Sequence, residues 1–454
     1  MPERKSLLYR SRIWGRLRHH GGTGMVVKVV SAAAAGLLAL LVGLRCLASF
    51  GVPDCKFRRL FAAPQGGADG AAPDGTVLRR IFLGALGIRL ALFAAMVVCV
   101  LLQSETEMDF PACMRAMNRW DAGHYIQLVE QGYAGYMEDG QHLFLVFFPA
   151  YVWVVRLVRL LVPDTAAAGM LVSTLCYAWG CCWVYRLAAA RFGGRVAADA
   201  VRLLSLYPFS FFFGTVMTEG LFLLTSSAAC CCAIQRRWLP YAVWGFLAAL
   251  TRMVGVLVIL PAVAVLFEAL QPFRPPLGGA LKKAVRPFLR RLPALLVPLL
   301  GTAVYLLLNW YVDGDFFAFV GHQTHWYQGF LPLPEVLDYI AQNFLQNASA
   351  SIGWAVWLPE LVLFFVFGSV LFFAVRDRRH STGLLLYAFA YLAANYSLSW
   401  LLSAGRYLAC AFPFFLFGAV LLEKRPALRS SVFLLEGVFL GVYLFAYAAG
   451  AQIM

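Results

Sequence analysis

Apolar residues along this chain gather into long blocks separated by short polar or basic segments. Most blocks approach the roughly 20 helical residues that are needed to cross about 30 Å of hydrocarbon. The blocks are 26–50, 81–102, 143–162, 166–190, 199–214, 219–235, 238–251, 253–270, 293–311, 354–375, 384–402, 407–422 and 431–450. A soluble core has no use for a dozen such blocks, so the pattern predicts an all-α polytopic membrane protein.

Composition agrees with this prediction. The chain is 61% hydrophobic and 13% charged, whereas soluble domains carry about 25% charged residues. The formal charge of +15 comes from short runs of Lys and Arg at the ends of apolar blocks, where topology rather than nucleic-acid binding accounts for them. Most of the eleven cysteines lie in or beside apolar blocks without paired C-x-x-C spacing, so no metal site is predicted.

The distribution of Lys and Arg also predicts an orientation, because cytoplasmic loops carry an excess of both. We place the basic segments in the cytosol: 51–80, 186–202, 274–291, 376–379 and the turns at Arg236-Arg237 and Lys424-Arg425. The lumenal segments are then 103–165, 215–218, the turn at Arg252, 312–353, 403–406 and the C-terminus. This gives eleven crossings from residue 81 onward.

Two segments need separate treatment. Block 143–162 must not cross, and Arg156 and Arg159 within it favour a helix lying in the membrane interface. Block 26–50 is a further crossing, an interfacial or re-entrant segment, or a signal-like element. The sequon at Asn347 falls in the predicted lumenal loop.

Two regions are predicted. Residues 1–80 form a basic N-terminal extension with an apolar segment and a Gly/Pro/Ala-rich linker. Residues 81–454 form a transmembrane domain whose lumenal loops, 103–165 and 312–353, carry candidate chemistry.

The most informative short segment is Asn-Arg-Trp-Asp-Ala-Gly-His-Tyr-Ile at 118–126. In a helix, Asp121 and His124 share one face, and a carboxylate beside a His is the smallest arrangement for an oriented general base. Trp120 offers a flat apolar wall for a sugar or an isoprene. The alternative is that Asp121 caps the helix and Trp120 anchors the membrane interface.

Three further charged residues lie at predicted lumenal turns. Glu219 follows the helix break at Pro208 and either binds a sugar hydroxyl or a cation, or stabilises the start of the next helix. Arg252 and Arg406 sit in very short lumenal turns, against the charge rule. They indicate either a lipid-linked phosphate ligand or snorkelling to ordinary headgroups. Arg89, inside the first secure crossing, is similarly costly.

The loop 312–353 carries Asp313, Asp315, His322, His325 and Trp326. His-x-x-His without a third ligand is a weak metal signal, so a substrate-contacting loop or a plain loop is the alternative. No Walker A, kinase or Rossmann motif is present, and a nucleotide donor therefore lacks support.

Taken in order, these motifs resemble a known family. They are Arg-Trp-Asp-x-x-His at 119–124, Phe-Phe-Pro at 147–149, Tyr-Pro-x-Ser-x-Phe-Phe with Thr-Glu at 207–219, Arg252, and Gly-Arg-Tyr-Leu at 405–408. From about residue 80 to the C-terminus the chain resembles the eukaryotic PIG-V family, the GPI mannosyltransferases that add the second mannose of the glycosylphosphatidylinositol precursor. The family's Arg-Ser-Asn-Gly here reads Arg-Met-Val-Gly at 252–255, so only Arg252 of that turn is a candidate.

The resemblance implies a GT-C glycosyltransferase-like bundle of about 11–12 transmembrane helices with lumenal interfacial helices, in the endoplasmic reticulum membrane. It implies dolichyl-phosphate-mannose as donor, a mono-mannosylated GPI precursor as acceptor, and an inverting α-1,6 transfer without a cofactor. Whether a divalent metal assists is open. A small membrane partner subunit is also implied. The rivals are another dolichol-phosphate-sugar-dependent GT-C glycosyltransferase, acting on N-glycan precursors or protein, and a lipid or sugar transporter.

The resemblance also implies roles in the reaction for single residues. We predict Asp121 as the catalytic base, with His124 orienting it or binding the acceptor. The predicted substrate-binding residues are Arg119, Trp120, Glu219, Arg252 and Arg406, of which the last two hold the donor phosphate.

Overall fold

The computed structural model describes residues 23–52, 73–103 and 109–453. The first 22 residues and the linker residues 53–72 of the predicted extension, and residues 104–108 of the first predicted lumenal loop, lie outside the described residues. The helices are α1 Thr23–Ser49, α2 Gly75–Gln103, α3 Phe110–Met117, α4 Asp121–Gln131, α5 Pro149–Val158, α6 Thr165–Leu206, α7 Glu219–Ile234, α8 Trp238–Thr251, α9 Ile259–Leu270, α10 Leu277–Asp313, α11 Ala318–Gln323, α12 Leu333–Gln346, α13 Leu358–Arg376, α14 Thr382–Asn395, α15 Ala404–Ala409, α16 Phe412–Leu422 and α17 Pro426–Ala448.

The described part of the chain is all-helical, with two isolated β-bridges and no strands. Seven of its helices are long and apolar enough to cross a membrane, and five further apolar helices have 10–17 residues. Apolar side chains cover much of the outer surface, as expected where the surrounding solvent is lipid. The predicted all-α polytopic membrane class is therefore confirmed.

Helix α6 contains a chain reversal at Gly193. There φ is +83° and ψ is 167°, a conformation that favours glycine. The Tyr177 hydroxyl lies 2.7 Å from the Ser205 hydroxyl, so the residues before and after Gly193 run side by side. The predicted block 166–190 lies in the first arm of this hairpin, and block 199–214 covers the second arm up to Leu206 and the turn that follows it.

One end of the bundle, which we call the basic end, gathers segments 186–202, 271–291, 376–380 and 423–429. Here the Arg45 guanidinium donates to the backbone carbonyls of Arg378 and His380, at 3.0 and 2.8 Å. Two ion pairs connect three of these segments, Arg379–Glu423 at 3.0 Å and Arg429–Asp199 at 3.1 Å. The fourth, 271–291, is joined to the end of α1 because the Phe273 amide donates to the carbonyl of Phe50 at 3.3 Å.

The opposite end, which we call the loop end, gathers the segments around Asp121, Glu219, Arg252, Asp313 and Arg406. Its contacts join the segments directly: Arg406 to Asp121 and Glu219, Arg252 to Glu219, and His142 to Asp313. The two groups of segments match the two sides predicted from the Lys and Arg distribution.

Helix α1 runs from the loop end to the basic end. Lys28 pairs with Glu335 at 2.8 Å near its beginning, and Arg45 binds the turn after α13 near its end. Its 27 residues extend about 40 Å, and it packs against α12, α13 and α14. Of the alternatives for block 26–50, this geometry fits a crossing, and its amino-terminal residue then lies at the loop end.

Helix α5, by contrast, begins and ends at the loop end. Its 10 residues extend about 15 Å. Before it, the Tyr133 hydroxyl donates to the carbonyl of Phe147, and after it Thr165 donates to Glu130. The exposed Arg156 donates to the carbonyl of Val129 at 2.7 Å. Block 143–162 is thus no crossing, as the charge pattern requires.

Replacing Arg45 by Ala is expected to loosen α1 from the basic end. Two charge-assisted hydrogen bonds to backbone carbonyls are lost, and hydrogen bonds to charged groups contribute about 1.5–3 kcal/mol each. Hydrogen exchange measured by mass spectrometry should become faster in residues 376–382. The control is Glu335→Gln, which alters the exposed ion pair with Lys28 near the other end of α1; such a pair contributes about 0–1 kcal/mol. Equal exchange in the two variants would contradict this account.

Candidate active site

The turn before α4 has an unusual backbone. Trp120 has φ 53° and ψ −125°, a conformation that a bulky residue rarely adopts and that the surrounding packing must hold. The Trp120 ring meets the Tyr447 ring edge-on, with centroids 5.1 Å apart. The Tyr447 hydroxyl donates to the carbonyl of Met117 and accepts from the amide of Arg119. The last helix therefore fixes the turn that presents Asp121.

Four side chains form an ion-pair network at the loop end. Arg406 Nη2 pairs with Asp121 Oδ2 at 2.7 Å, and its Nε lies 3.2 Å from Glu219 Oε1. Arg252 Nη1 lies 3.1 Å from the same Glu219 oxygen. The network contains two positive and two negative groups. This balance is what burial requires, because an unpaired buried charge costs several kcal/mol.

Exposure within the network is graded. Glu219 is 1% exposed, Arg406 7%, Arg252 16% and Asp121 30%. Asp121 is therefore the member that substrate reaches most easily, while Glu219 forms the interior of the network. Both carboxylates occupy the first position of a helix, but neither is the N-cap residue. The helix dipole favours a negative charge at the start of a helix. Helix capping alone, however, does not explain why both carboxylates are paired with arginines.

Asn118 connects the two carboxylate-bearing loops. Its Oδ1 accepts from the amide of Val216 at 3.1 Å, and its Nδ2 donates to the carbonyl of Met114 at 2.9 Å. Because Asn118 precedes Asp121 by three residues and Val216 precedes Glu219 by three, one amide side chain holds both turns. Sequence reasoning did not single out Asn118, although a polar residue beside the Trp-Asp motif was a visible signal.

Arg89 supports the segment between the end of α6 and Glu219. The end of α6 leaves carbonyls without helical partners. The Arg89 guanidinium donates to the carbonyls of Ser205 and Ser210 and lies over the Tyr177 ring. This explains how an Arg that is costly in an apolar helix is retained: it satisfies the helix end that leads toward Glu219.

Glu360 holds the turn that carries Arg406. Both of its carboxylate oxygens accept from the amide of Ala404, at 2.8 and 3.0 Å. The next residue, Gly405, packs against the Phe209 ring so closely that a side chain would clash. Sequence reasoning missed Glu360, although a carboxylate inside an apolar block is itself a signal of function or structure.

Arg252 is held by aromatic rings as well as by Glu219. Its guanidinium lies 5.1 Å from the centroid of Tyr407 and 5.8 Å from that of Phe222, within the range of cation–π attraction. Gly255 contacts the carbonyl of Ala248 with no room for a side chain. Arg252 and Gly255 of the Arg-x-x-Gly turn thus each make contacts that explain their residue type, while Met253 between them is exposed.

His124 does not bond to Asp121 in this structure. Its Nδ1 lies 2.9 Å from the Tyr136 hydroxyl, and its ring stacks on Phe144 at 3.9 Å. Burial lowers the pKa of His124 from its ordinary value, against the opposing effect of Asp121, so the neutral ring is favoured at pH 7. Of the two predicted roles, contact with the acceptor fits these contacts better than orientation of the base.

Arg119 lies outside the network. Its Nη2 donates to the carbonyl of Ala448 at 2.9 Å, at the carboxyl end of α17, where a positive charge is favourable. The contact with Ala448 therefore makes Arg119 a partner of the carboxyl end of α17.

The loop after α10 approaches the His124 ring through aromatic contacts. The two carboxylate oxygens of Asp313 each lie 2.6 Å from a histidine ring nitrogen, one of His142 and the other of His322. Further along, the Trp326 ring lies 5.7 Å from that of Phe144, the ring on which His124 stacks. Residues 313–326 thus form one wall beside His124, while the Asp315 side chain accepts locally from the amide of Phe317 at 2.9 Å.

Replacing Glu219 by Gln is expected to destabilise the folded protein. The change leaves two buried guanidiniums with one carboxylate, and breaking a buried pair costs about 3–5 kcal/mol. The melting temperature in detergent should fall clearly. The matched control is Glu335→Gln, which alters the exposed ion pair with Lys28. This change should lower the melting temperature little. A Glu219→Gln protein as stable as the control would show that the network does not stabilise the fold.

The chain matches no protein-family model and no curated protein. Solved structures of similar fold include ArnT from Cupriavidus metallidurans bound to undecaprenyl phosphate, with 14% identity, 84% of this chain and 77% of that chain covered, and a TM-score of 0.49. Another is the oligosaccharyltransferase AglB from Archaeoglobus fulgidus, in complex with an inhibitory peptide and a dolichol-phosphate. Its identity is 13%, the coverage is 80% of this chain and 56% of that chain, and the TM-score is 0.41.

Proposed function

We propose that this protein is a GT-C-type glycosyltransferase that uses a lipid-phosphate-linked sugar donor, with Asp121 as its catalytic base. The observation that carries the proposal is the position of Asp121. It is the most exposed member of the network, with 30% of its side chain exposed, and Arg406 Nη2 holds its Oδ2 at 2.7 Å. A carboxylate fixed in this way suits proton removal from a sugar hydroxyl.

The reaction is one in-line displacement. Asp121 takes the proton of the acceptor hydroxyl, and that oxygen forms a bond to C1 of the donor sugar. The bond between C1 and the phosphate oxygen breaks, and its electron pair leaves with the lipid phosphate. Phosphate is a stable anion, so no general acid is needed. A β-linked donor then gives an α-linked product.

Arg252 and Arg406 are proposed to stabilise the leaving phosphate, because guanidinium groups match phosphate geometry. Arg252 is the better placed of the two. It is more exposed than Arg406, and its ion pair with Glu219 uses Nη1, while a guanidinium has five N–H donors. Trp120 and the aromatic wall of His124 and Trp326 are proposed to contact the sugars.

For the specific reaction we propose transfer of the second mannose, in α-1,6 linkage, from dolichyl-phosphate-mannose to the GPI precursor in the endoplasmic reticulum lumen. The support is the order of motifs from Arg119 to Leu408, which resembles the PIG-V family. A small membrane partner subunit belongs to the same proposal. Another dolichol-dependent glycosyltransferase is the alternative, and a transporter is a more distant one.

Asp121→Asn is expected to abolish rescue in cells that lack the second GPI mannosyltransferase. An amide cannot accept the proton, and general-base catalysis contributes about 10²–10⁴-fold. The readout is surface GPI-anchored protein together with the profile of GPI intermediates. The control is Asp139→Asn, an exposed position on the same loop whose backbone has φ 51°, which Asn tolerates.

Full rescue by Asp121→Asn, at normal expression, would rule out its role as base. The same cells separate the alternatives. Accumulation of a one-mannose GPI lipid, relieved by the native protein, supports the GPI reaction. Truncated N-glycan precursors would support the other glycosyltransferase, and lipid transfer across reconstituted vesicles without a new glycosidic bond would support a transporter.

The proposed lumenal site also predicts where glycosylation tags are modified. In an Asn347→Gln background, an acceptor tag between Asp139 and Gly140, at the loop end, should be glycosylated and shift after glycosidase treatment. A tag between Lys424 and Arg425, at the basic end, should not. The reverse pattern would place Asp121 in the cytosol.

A further inference from the structure

A cavity of about 280 Å³ lies between α2 and α6, away from the ion-pair network. Seven residues line it: Leu78, Arg79, Phe82, Trp179, Cys182, Trp183 and Arg186. Five of these side chains are apolar and two are guanidiniums, and none of the seven carries a carboxylate. Among the residues that the structure describes, neither guanidinium has an ion-pair partner, so the cavity combines an apolar wall with a charge of about +2.

Contacts between the lining residues keep the cavity formed. The Cys182 thiol lies 3.5 Å from the carbonyl of Leu78 and joins the two helices. The Arg186 guanidinium lies over the Trp183 ring, 5.0 Å from its centroid. Stacking of this kind holds a guanidinium in place and leaves its edge available for an anion.

The position of the cavity along the bundle is also informative. Arg186 lies seven residues before the reversal at Gly193, and Arg79 lies in the first turns of α2, so both belong to the basic end. Trp179 is 60% exposed on the outer surface of the bundle. Tryptophan at the border of an apolar surface is typical of the membrane interface, and basic pockets between transmembrane helices bind lipid headgroups.

We propose that this cavity binds an anionic phospholipid of the surrounding membrane. The headgroup phosphate lies between Arg79 and Arg186, and an acyl chain lies along Phe82 and Trp179. A soluble phosphate would leave the apolar wall unused, and a neutral lipid would leave both guanidiniums without a counter-charge. The site is separate from the network of Asp121, because the two occupy opposite ends of the bundle.

Lipid binding to the purified full-length protein tests this proposal. Native mass spectrometry in detergent, with phosphatidylserine and phosphatidylcholine of identical acyl chains, gives the affinity of the first bound lipid. The native protein should prefer phosphatidylserine. In Arg79→Ala/Arg186→Ala the affinity for phosphatidylserine should fall about tenfold or more, since each basic residue contributes to attraction of an anionic lipid.

The matched control is Arg286→Ala/Arg290→Ala, which removes the same charge from exposed positions on α10 at the basic end and should leave the affinity unchanged. Equal weakening in both double variants would reduce the effect to general charge attraction and overturn the site. Equal binding of the two lipids by the native protein would also overturn it. Competition by glycerophosphoserine, which has no acyl chains, as effective as that by the intact lipid would show a phosphate site instead of a lipid site.

Discussion

The guanidinium of Arg406 joins two carboxylates that belong to different parts of the chain, and the loop end depends on this bridge. Asp121 begins α4 and Glu219 begins α7, yet both reach the same side chain. In a low-dielectric interior each charge needs a counter-charge. The three segments that carry Asp121, Glu219 and Arg406 can therefore pack together only when the three side chains are paired. The arrangement that stabilises the fold is therefore the arrangement that orients the exposed carboxylate.

The residues around the bridge act mainly through backbone groups. Asn118 binds the amide of Val216, Glu360 binds the amide of Ala404, and Arg89 binds carbonyls near the end of α6. Each of these polar side chains satisfies backbone that the turn leaves without a helical partner. The turns that carry Asp121, Glu219 and Arg406 gain rigidity in this way, and such rigidity is what the proposed role of Asp121 as base requires.

Much of the fold followed from the sequence, because lipid imposes helix length and loop charge directly. The apolar blocks and the basic segments gave the helices and the two ends of the bundle, and α5 was recognised as no crossing from its arginines. The pairing of Asp121 with Arg406 could not be read in the same way, since no local pattern specifies contacts between distant helices. The role of Glu360, the bond of His124 to Tyr136 and the course of α1 depend on the same kind of long-range contact.

The course of α1 has a consequence for how the protein is made. Its two charged anchors, Lys28 and Arg45, find their partners at Glu335 and at the turn of Arg378 and His380. The ribosome makes these partners some three hundred residues later. Until then Arg45 has no acceptor from its native turn, and an unpaired Arg within an apolar helix is costly. Among the described helices, α1 is thus made before its partners and is among the last to reach its final place, so Arg45 must be shielded from lipid until those partners are made.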